Sequence, residues 1–479
     1  MTTAPRSSRS SRSSRTTRAV RTGALLAAAV LAGAAATGTA QADPAGSGPP
    51  WARTARISTG LGGAQPDGQT SPTGLSADGR WAVLGSDAGN LVPGDTNGVT
   101  DVFVRDLLSG RTERVSLTAS GGQADAHSSE GAIDAIGRHV VFTSDAALVP
   151  GDTNGAEDIY LRDRWTGRTE RITAGDPARE EPARGSFTPS ISADGRYVAF
   201  ASTRTDLVPG DTPPRDNVYV TDRWTGTTRL ITVGADGTPA NRPSFWPVIS
   251  ADGGSVGFIS RATNLLPPGE GGEPAAEPEP EPADAPGHGL AKPRLYPFYV
   301  HDLATGRTSG ASTDGTGALR GVNSGTLSPD GRLAAYSLLV PDEPDGSGWR
   351  THLEILVRDL RTDTVRRLPT ALPGTRTTGH SYDPVIAPGN RWVYFTSSAD
   401  NFVADDTNGA DDVFRHDLWT GRTERVSLSS DGTQSTGASY TAVVGGLGTT
   451  VLFSSEDGTL VPADTNGWTD AFSRHVLPF

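Results

Sequence analysis

A chain of 479 residues, 35% hydrophobic and 20% charged, has the apolar material for a sizeable core, and with no Cys it has no disulfide to staple it. Its formal charge of −13 at pH 7 argues against nucleic acid and anionic membrane as partners, and favours solubility and cation binding. The lack of Cys also excludes a lipid-modified cysteine.

The first element is a targeting segment. Arg6, Arg9, Arg12, Arg15, Arg18 and Arg21 form a basic stretch without an acid, GALLAAAVLAGAAA (23–36) is an apolar run, and Ala40-Gln41-Ala42 offers small residues for cleavage. Residues 1–42 are therefore expected to be a signal peptide and the protein to be secreted. The run is too short and Ala-rich for a convincing spanning helix, and no later segment is long enough. An uncleaved anchor is the alternative. Without residues 1–42, 36 Lys and Arg face 55 Asp and Glu, a formal charge of −19.

From residue 53 onward the chain repeats itself. A turn followed by an alternating strand recurs as LSADGRWAVLGS at Leu75, ISADGRYVAFAS at Ile191, ISADGGSVGFIS at Ile249 and LSPDGRLAAYSL at Leu327. Degenerate copies start at Ile133, Ile386 and Val444. From Arg80 the steps to Arg138, Arg196, Gly254, Arg332 and Arg391 are 58, 58, 58, 78 and 59 residues. Each unit reads as strand, ADGR turn, strand, LVPGDTNG loop, third strand, RWTG hairpin and fourth strand. The long step contains the Pro/Glu-rich stretch 267–294, expected to be a disordered insertion in the fourth unit. The last unit lacks its fourth strand, whereas residues 53–58 (RTARIS) match the fourth strand RTERVS at Arg111. The expectation is an all-β, seven-bladed β-propeller over residues 43–479, with four-stranded blades and an N-terminal strand closing the last one.

SADGRYVAFAS and SPDGR resemble the WD40-like (PD40) repeat of the TolB C-terminal propeller over residues 51–479, and are similar to the propellers of prolyl-oligopeptidase-type enzymes. The resemblance implies the fold and an interaction role. Neither the α/β domain of TolB nor a hydrolase domain is found beside the repeats, so it does not extend to a TolB partner or a peptidase activity.

Two motifs bear on chemistry. DTNGxxD places Asp95, Asn97 and Asp101 at positions 1, 3 and 7, and recurs as Asp152, Asn154, Asp158; Asp406, Asn408, Asp412; and Asp464, Asn466, Asp470. Oxygens so spaced, with the carbonyl at position 5, can ligate Ca²⁺. The other reading is a plain turn, with Asp and Asn bonding their own backbone and Gly supplying positive φ. The motif is no EF-hand: the acid at position 12 lies five residues up a strand, roughly 16 Å away. The third copy, DTPPRDN at Asp211, has lost both Asn and Gly. The second motif ends the third strand with Asp106, Asp163, Asp222, Asp302, Asp359 or Asp417, read as hairpin closures. Arg162 and Arg358 are candidates for ion pairs between blades.

Enzyme motifs are absent: the eight His have no metal-ligand spacing, and there is no GxSxG, P-loop or Rossmann glycine pattern. In a four-stranded blade the long loops share one end, along with Phe187, Phe245, Trp246, Tyr382, Tyr440 and Trp468, while the ADGR and RWTG turns make a plain opposite face. Packing of the blade tops is the structural alternative for those aromatics. The functional expectation is a secreted, monomeric, non-catalytic module that binds a protein or glycan at the long-loop end, calcium-stiffened if the loops ligate. The alternative is a carbohydrate-active enzyme, a lyase or glycosidase, using carboxylates around the central channel.

Overall fold

The turn after Ile191 shows how each repeat begins. Ser192 Oγ donates to Asp194 Oδ1 at 2.6 Å, Arg196 N donates to the same oxygen at 3.0 Å, and Gly195 adopts φ 71°, so the chain reverses between two strands. At the equivalent Gly137 (φ 74°) a Cβ would lie 2.2 Å from the Trp81 ring, so this turn must be bare to pack on the preceding unit.

The computed structural model describes residues 53–477 except 176–183, 211, 271–294, 342–350, 369–370, 374 and 376–377. The expected signal peptide and nearly all of the Pro/Glu insertion fall outside the described residues. These hold 28 strands and two short 3-10 turns, and no helix long and apolar enough to cross a membrane. After β1 (Thr54–Arg56), the strands fall into sets of four. They are β2 (Thr70–Leu75), β3 (Trp81–Ser86), β4 (Asp101–Asp106) and β5 (Thr112–Arg114); β6 (Ser128–Ile133), β7 (His139–Ser144), β8 (Asp158–Asp163) and β9 (Arg168–Arg171). Next come β10 (Ser186–Ile191), β11 (Tyr197–Ser202), β12 (Asn217–Asp222) and β13 (Thr227–Leu230); β14 (Ser244–Ile249), β15 (Ser255–Ser260), β16 (Tyr296–Asp302) and β17 (Thr308–Gly310). The chain continues with β18 (Gly321–Leu327), β19 (Leu333–Pro341), β20 (Thr351–Asp359) and β21 (Thr364–Arg367); then β22 (Ser381–Ile386), β23 (Trp392–Ser397), β24 (Asp412–Asp417) and β25 (Thr423–Arg425). The last three are β26 (Ser439–Gly445), β27 (Thr450–Ser455) and β28 (Asp470–His475).

All pairings are antiparallel, and β1 pairs with β28, Thr54 opposite Arg474 and Arg56 opposite Phe472. Where seven separate sheets were expected, six are hydrogen-bonded, five of four strands and one of eight. The large sheet arises because β16 continues past its own set to pair Tyr296 with Val322 and Pro297 with Gly321. The first strands of successive sets, β2, β6, β10, β14, β18, β22 and β26, pack each on the next, and β26 returns to β2. At the short-turn end, Ala77 N bonds Ala135 O at 3.1 Å, Ala135 N bonds Ala193 O at 3.0 Å, Ala193 N bonds Ala251 O at 2.8 Å, and Gly446 N bonds Ala77 O at 3.1 Å. The fold is thus an all-β propeller, with its innermost strands around an axis.

The core lies between sheets. Second and third strands place aromatics opposite one another, stacking Phe142 on Tyr160, Phe200 on Tyr219, Phe258 on Tyr299, Phe395 on Phe414 and Phe453 on Phe472 at 5.7–6.2 Å between centroids. The third-strand Asp closes its hairpin as expected: Trp224 N donates to Asp222 Oδ1 at 3.0 Å. It also has an ion partner that the sequence did not indicate, the arginine of the ADGR turn. Arg196 Nε and Nη2 donate to Asp222 at 3.0 and 2.7 Å, and Arg80–Asp106, Arg138–Asp163, Arg332–Asp359 and Arg391–Asp417 repeat the pair. The Arg196 bond holds the Asp222 carboxyl down to about 2. Arg162 donates to Thr169 within its own set; Arg358 pairs with Asp363 of its own hairpin and crosses to the neighbouring set through backbone carbonyls, donating to Gly310 O at 2.6 Å and Ala311 O at 3.1 Å. Ion pairs between neighbouring sheets include Arg164 to Glu113 at 2.6 Å, Arg223 to Glu170 at 2.8 Å and Arg204 to Asp158 at 3.5 Å.

Candidate functional site

All four DTNG loops lie at the end opposite the ADGR turns, each leading into a third strand. Their Asn serves the turn. Asn97 Nδ2 donates to Asp101 Oδ2 at 2.8 Å and Ala124 O at 3.0 Å, while its Oδ1 accepts from Val99 N at 3.4 Å. Asn154, Asn408 and Asn466 bond Asp158, Asp412 and Asp470 in the same way at 2.9, 3.1 and 3.1 Å. In each loop the Asn side-chain oxygen accepts from the backbone N–H two residues on.

The carboxylates face a guanidinium. Arg114 Nη1 lies 3.3 Å from Asp95 and 2.9 Å from Asp101. Arg171 lies 3.3 and 2.9 Å from Asp152 and Asp158, Arg425 lies 3.2 and 3.6 Å from Asp406 and Asp412, and Arg56 lies 3.0 and 3.5 Å from Asp464 and Asp470. A hydroxyl completes each set: Ser116, Thr173, Ser427 and Ser58 donate at 2.5 Å to Asp101, Asp158, Asp412 and Asp470. Burial pushes the Asp158, Asp412 and Asp470 carboxyls up, and the facing arginines pull them back. Where the calcium reading puts a metal, the fourth strand delivers Arg. Among the described residues no group of three or more His, Cys, Asp or Glu is arranged to hold a metal ion.

The repeats themselves show what the acid is for. One backbone bond, such as Val115 N to Val102 O, recurs in every unit, so the residues preceding its partners are equivalent throughout. They are Asp101 and Arg114, Asp158 and Arg171, Asn217 and Leu230, Pro297 and Gly310, Glu354 and Arg367, Asp412 and Arg425, Asp470 and Arg56. In the fifth, Arg367 Nε meets Glu354 at 2.8 Å. In the third and fourth, acid and base are lost together, as expected of charges that neutralise each other in a buried site.

A second feature sits at the same end, on the innermost strands. Each has a register shift near its start, between Pro72 and Gly74, Ser129 and Ala132, Phe187 and Ser190, Phe245 and Val248, Val322 and Gly325, Tyr382 and Val385, and Tyr440 and Val443. In five of the seven the bulged residue takes left-handed φ without being glycine: Glu130 54°, Thr188 52°, Trp246 53°, Asp383 49° and Thr441 61°. Such a conformation costs about 1–3 kcal/mol per residue and gathers at functional positions. The residue two before it is constant: Ser128, Ser186, Ser244, Ser381 and Ser439 bond second-strand Ser144, Ser202, Ser260, Ser397 and Ser455 at 2.7–3.1 Å. Geometry repeats while chemistry changes. Neighbouring bulges are joined, Thr188 N donating to Glu130 Oε2 at 2.6 Å and Asp383 N to Ser324 Oγ at 3.0 Å.

The mouth they surround is acidic. Surrounding protein desolvates Glu130 and Asp383 and raises both carboxyls, although each is open to solvent. Half-buried Glu157 is pushed up to about 7 by burial first, then by Glu130 and Asp145. With its folded pKa above the unfolded value near 4.5, the folded state binds the extra proton between those pH values, and stability falls as pH rises through that window. Glu157→Gln should therefore melt above wild type at pH 8 and with it at pH 4, read by thermal denaturation across pH. Equal gains at both pH values would contradict a raised Glu157.

Of the six aromatics expected at this end, Trp246 and Trp468 are exposed, and Phe187, Phe245, Tyr382 and Tyr440 are half-buried. Phe245 meets Trp246 edge-on at 4.9 Å. The opposite face is less plain than expected, because Trp165 and Trp224 on the RWTG turns and Trp419 on the equivalent LWTG turn stand 66–74% exposed. Arg138, Arg196 and Arg391 lie 4.7–5.0 Å from their rings. The signal was in the sequence, a Trp at the tip of a four-residue turn.

No protein-family model matches the chain, and no curated protein matches it. Solved structures do. A structure described as oligogalacturonate lyase in complex with manganese is 13% identical with a TM-score of 0.50, covering 89% of this chain and 94% of that one. Putative TolB from Agrobacterium tumefaciens is 15% identical with a TM-score of 0.38, covering 86% and 99%. The Dos1 propeller is 11% identical with a TM-score of 0.42, covering 89% and 95%. The structural neighbours are thus TolB-like and propeller proteins, and the likeness is one of fold.

Proposed function

We propose that the chain is a secreted, non-catalytic propeller of seven blades that binds a glycan at the axial mouth of its long-loop end. Seven innermost strands in a closed cycle support the blade count, with the eight-stranded sheet counted as two blades joined through Tyr296 and Pro297. The carrying observation is the bulge ring. Glu130, Thr188, Trp246, Asp383 and Thr441 share one backbone geometry and differ in side chain, as positions spared from the scaffold would. Carboxylates and hydroxyls can bond sugar hydroxyls, and an exposed indole offers a flat face for a pyranose ring. The acidic surroundings favour neutral or basic sugars over polyuronates. In the same reading the DTNG loops are arginine-closed clamps that hold the loops rigid, and calcium is not required.

Trp246→Ala is expected to weaken glycan binding at least tenfold, the loss of about 1.4–2 kcal/mol of aromatic contact. The measurement is a glycan array followed by titration of the best ligand. Retention by a protein ligand alone, with no glycan bound, would replace glycan with protein as the occupant. One observation favours a second reading, a glycosidase or lyase: a carboxyl raised to about 7 beside Glu130 suits a general acid. Depolymerisation of an array-positive polysaccharide, lost in Glu157→Gln, would establish that reading and overturn the first.

A further inference from the structure

The ring is closed by a strand from the other end of the chain, and this leaves a gap. Elsewhere the third strand turns back through a hairpin into the fourth; β28 instead ends at His475, and its outer neighbour β1 spans three residues. Beside it, between the set β22–β25 and the closing set, lies a cavity of about 600 Å³. Its wall mixes Arg415, Arg422, Arg474 and His475 with the apolar Val403, Leu428 and Val476, and Asp405 and Glu424 also contribute. In a chain of net negative charge, this concentration of arginine is local and specific.

Most of those charges are accounted for. Glu424 takes Arg415 at 2.9 and 2.6 Å and Arg422 at 3.2 Å, and Arg425 faces Asp406 and Asp412. Arg474 differs. It is 5% exposed, and its bonds are all to neutral oxygens: Thr54 Oγ1 at 2.6 Å, Leu428 O at 2.8 Å and Ser429 O at 2.9 Å. Among the described residues no carboxylate lies within ion-pair distance of it. All three bonds use Nη1, so the Nε–Nη2 edge has no acceptor among the described residues, on a side chain that lines the cavity. Burial and the neighbouring Arg415 pull its pKa down to about 10, the direction expected of a cation without a counter-ion. Buried charges are normally paired, and the free edge of a guanidinium matches the two oxygens of a carboxylate.

We propose that this cavity binds an amphipathic organic acid, its carboxylate on the Nε–Nη2 edge of Arg474 with Arg422 and His475 at the mouth, and its apolar body against Val403, Leu428 and Val476. The site is separate from the axial mouth and does not depend on the glycan reading. The test is calorimetric titration of the full chain with hexanoate, hexanol and inorganic phosphate. Hexanoate binds wild type and hexanol does not. Exposed Arg422→Gln, a change remote from the core, weakens hexanoate about tenfold, the scale of one charge-assisted bond, and Arg474→Met abolishes binding. Equal binding of hexanoate and hexanol, phosphate binding without hexanoate, or unchanged affinity in Arg422→Gln each overturns the proposal, whether or not Arg474→Met folds.

Discussion

Replacing Arg114 by Leu is expected to destabilise the chain by about 3–5 kcal/mol, because it strands Asp101 and Asp95 in a buried loop base with no cation. The Arg114 and Asp101 side chains are 7% and 0% exposed, so water cannot replace the lost partner. Adding Asp101→Asn recreates the Asn and Leu that the third repeat has at Asn217 and Leu230, and should recover at least half of the loss. Urea midpoints at constant slope give both values. Additive losses in the double variant would mean the pair is not coupled. Calcium titration of the wild type separates the two readings of the DTNG loop. If the guanidinium is the cation of the site, calcium and chelator leave the wild-type melting temperature unchanged. If calcium is a ligand of the folded state, mass action must raise it.

The difference between what could and could not be read from the residues follows from range. ADGR, RWTG and the alternating strands are local, so turn chemistry and the two-residue period expose them one unit at a time. The match between RTARIS and the fourth strands placed β1 against the last set because repeats carry a register that crosses the termini. The clamp was hidden because its halves lie on different strands, with Asp101 and Arg114 thirteen residues apart and Asp470 and Arg56 at opposite ends of the chain. In sequence, DTNGVTD resembles a metal loop, since cation ligands and guanidinium ligands are the same oxygens. The bulges were hidden for another reason: Glu, Thr and Trp give no local sign of a left-handed backbone, which here is imposed by neighbouring inner strands. The merging of two sets into one sheet depends on a few residues of β16 beyond its own partners, Tyr296 and Pro297, next to an insertion whose length carries no pairing information.

Deleting residues 53–59 should have the largest effect of all. β1 contributes three residue pairs to β28, and its loss leaves that strand with an open edge. The deletion also removes charge and hydrogen-bond partners from a buried base: Arg56 from Asp464 and Asp470, Ser58 Oγ from Asp470 at 2.5 Å, and Thr54 from Arg474. Two unpaired carboxylates and an exposed edge together exceed about 5 kcal/mol, comparable with the whole stability of a typical domain. The variant is expected either to lose its cooperative melt or to associate through β28, and circular dichroism with size-exclusion chromatography distinguishes the two. Arg56→Leu alone, which keeps the strand, should lose less and remain monomeric, because the β1–β28 ladder and Ile57, buried among Ala82, Leu84 and Phe103, still close the ring. A deletion variant that stays monomeric and melts within about two degrees of wild type, a shift of about 2 kcal/mol for a chain of this size, would show that the fold does not depend on being closed by its own first strand.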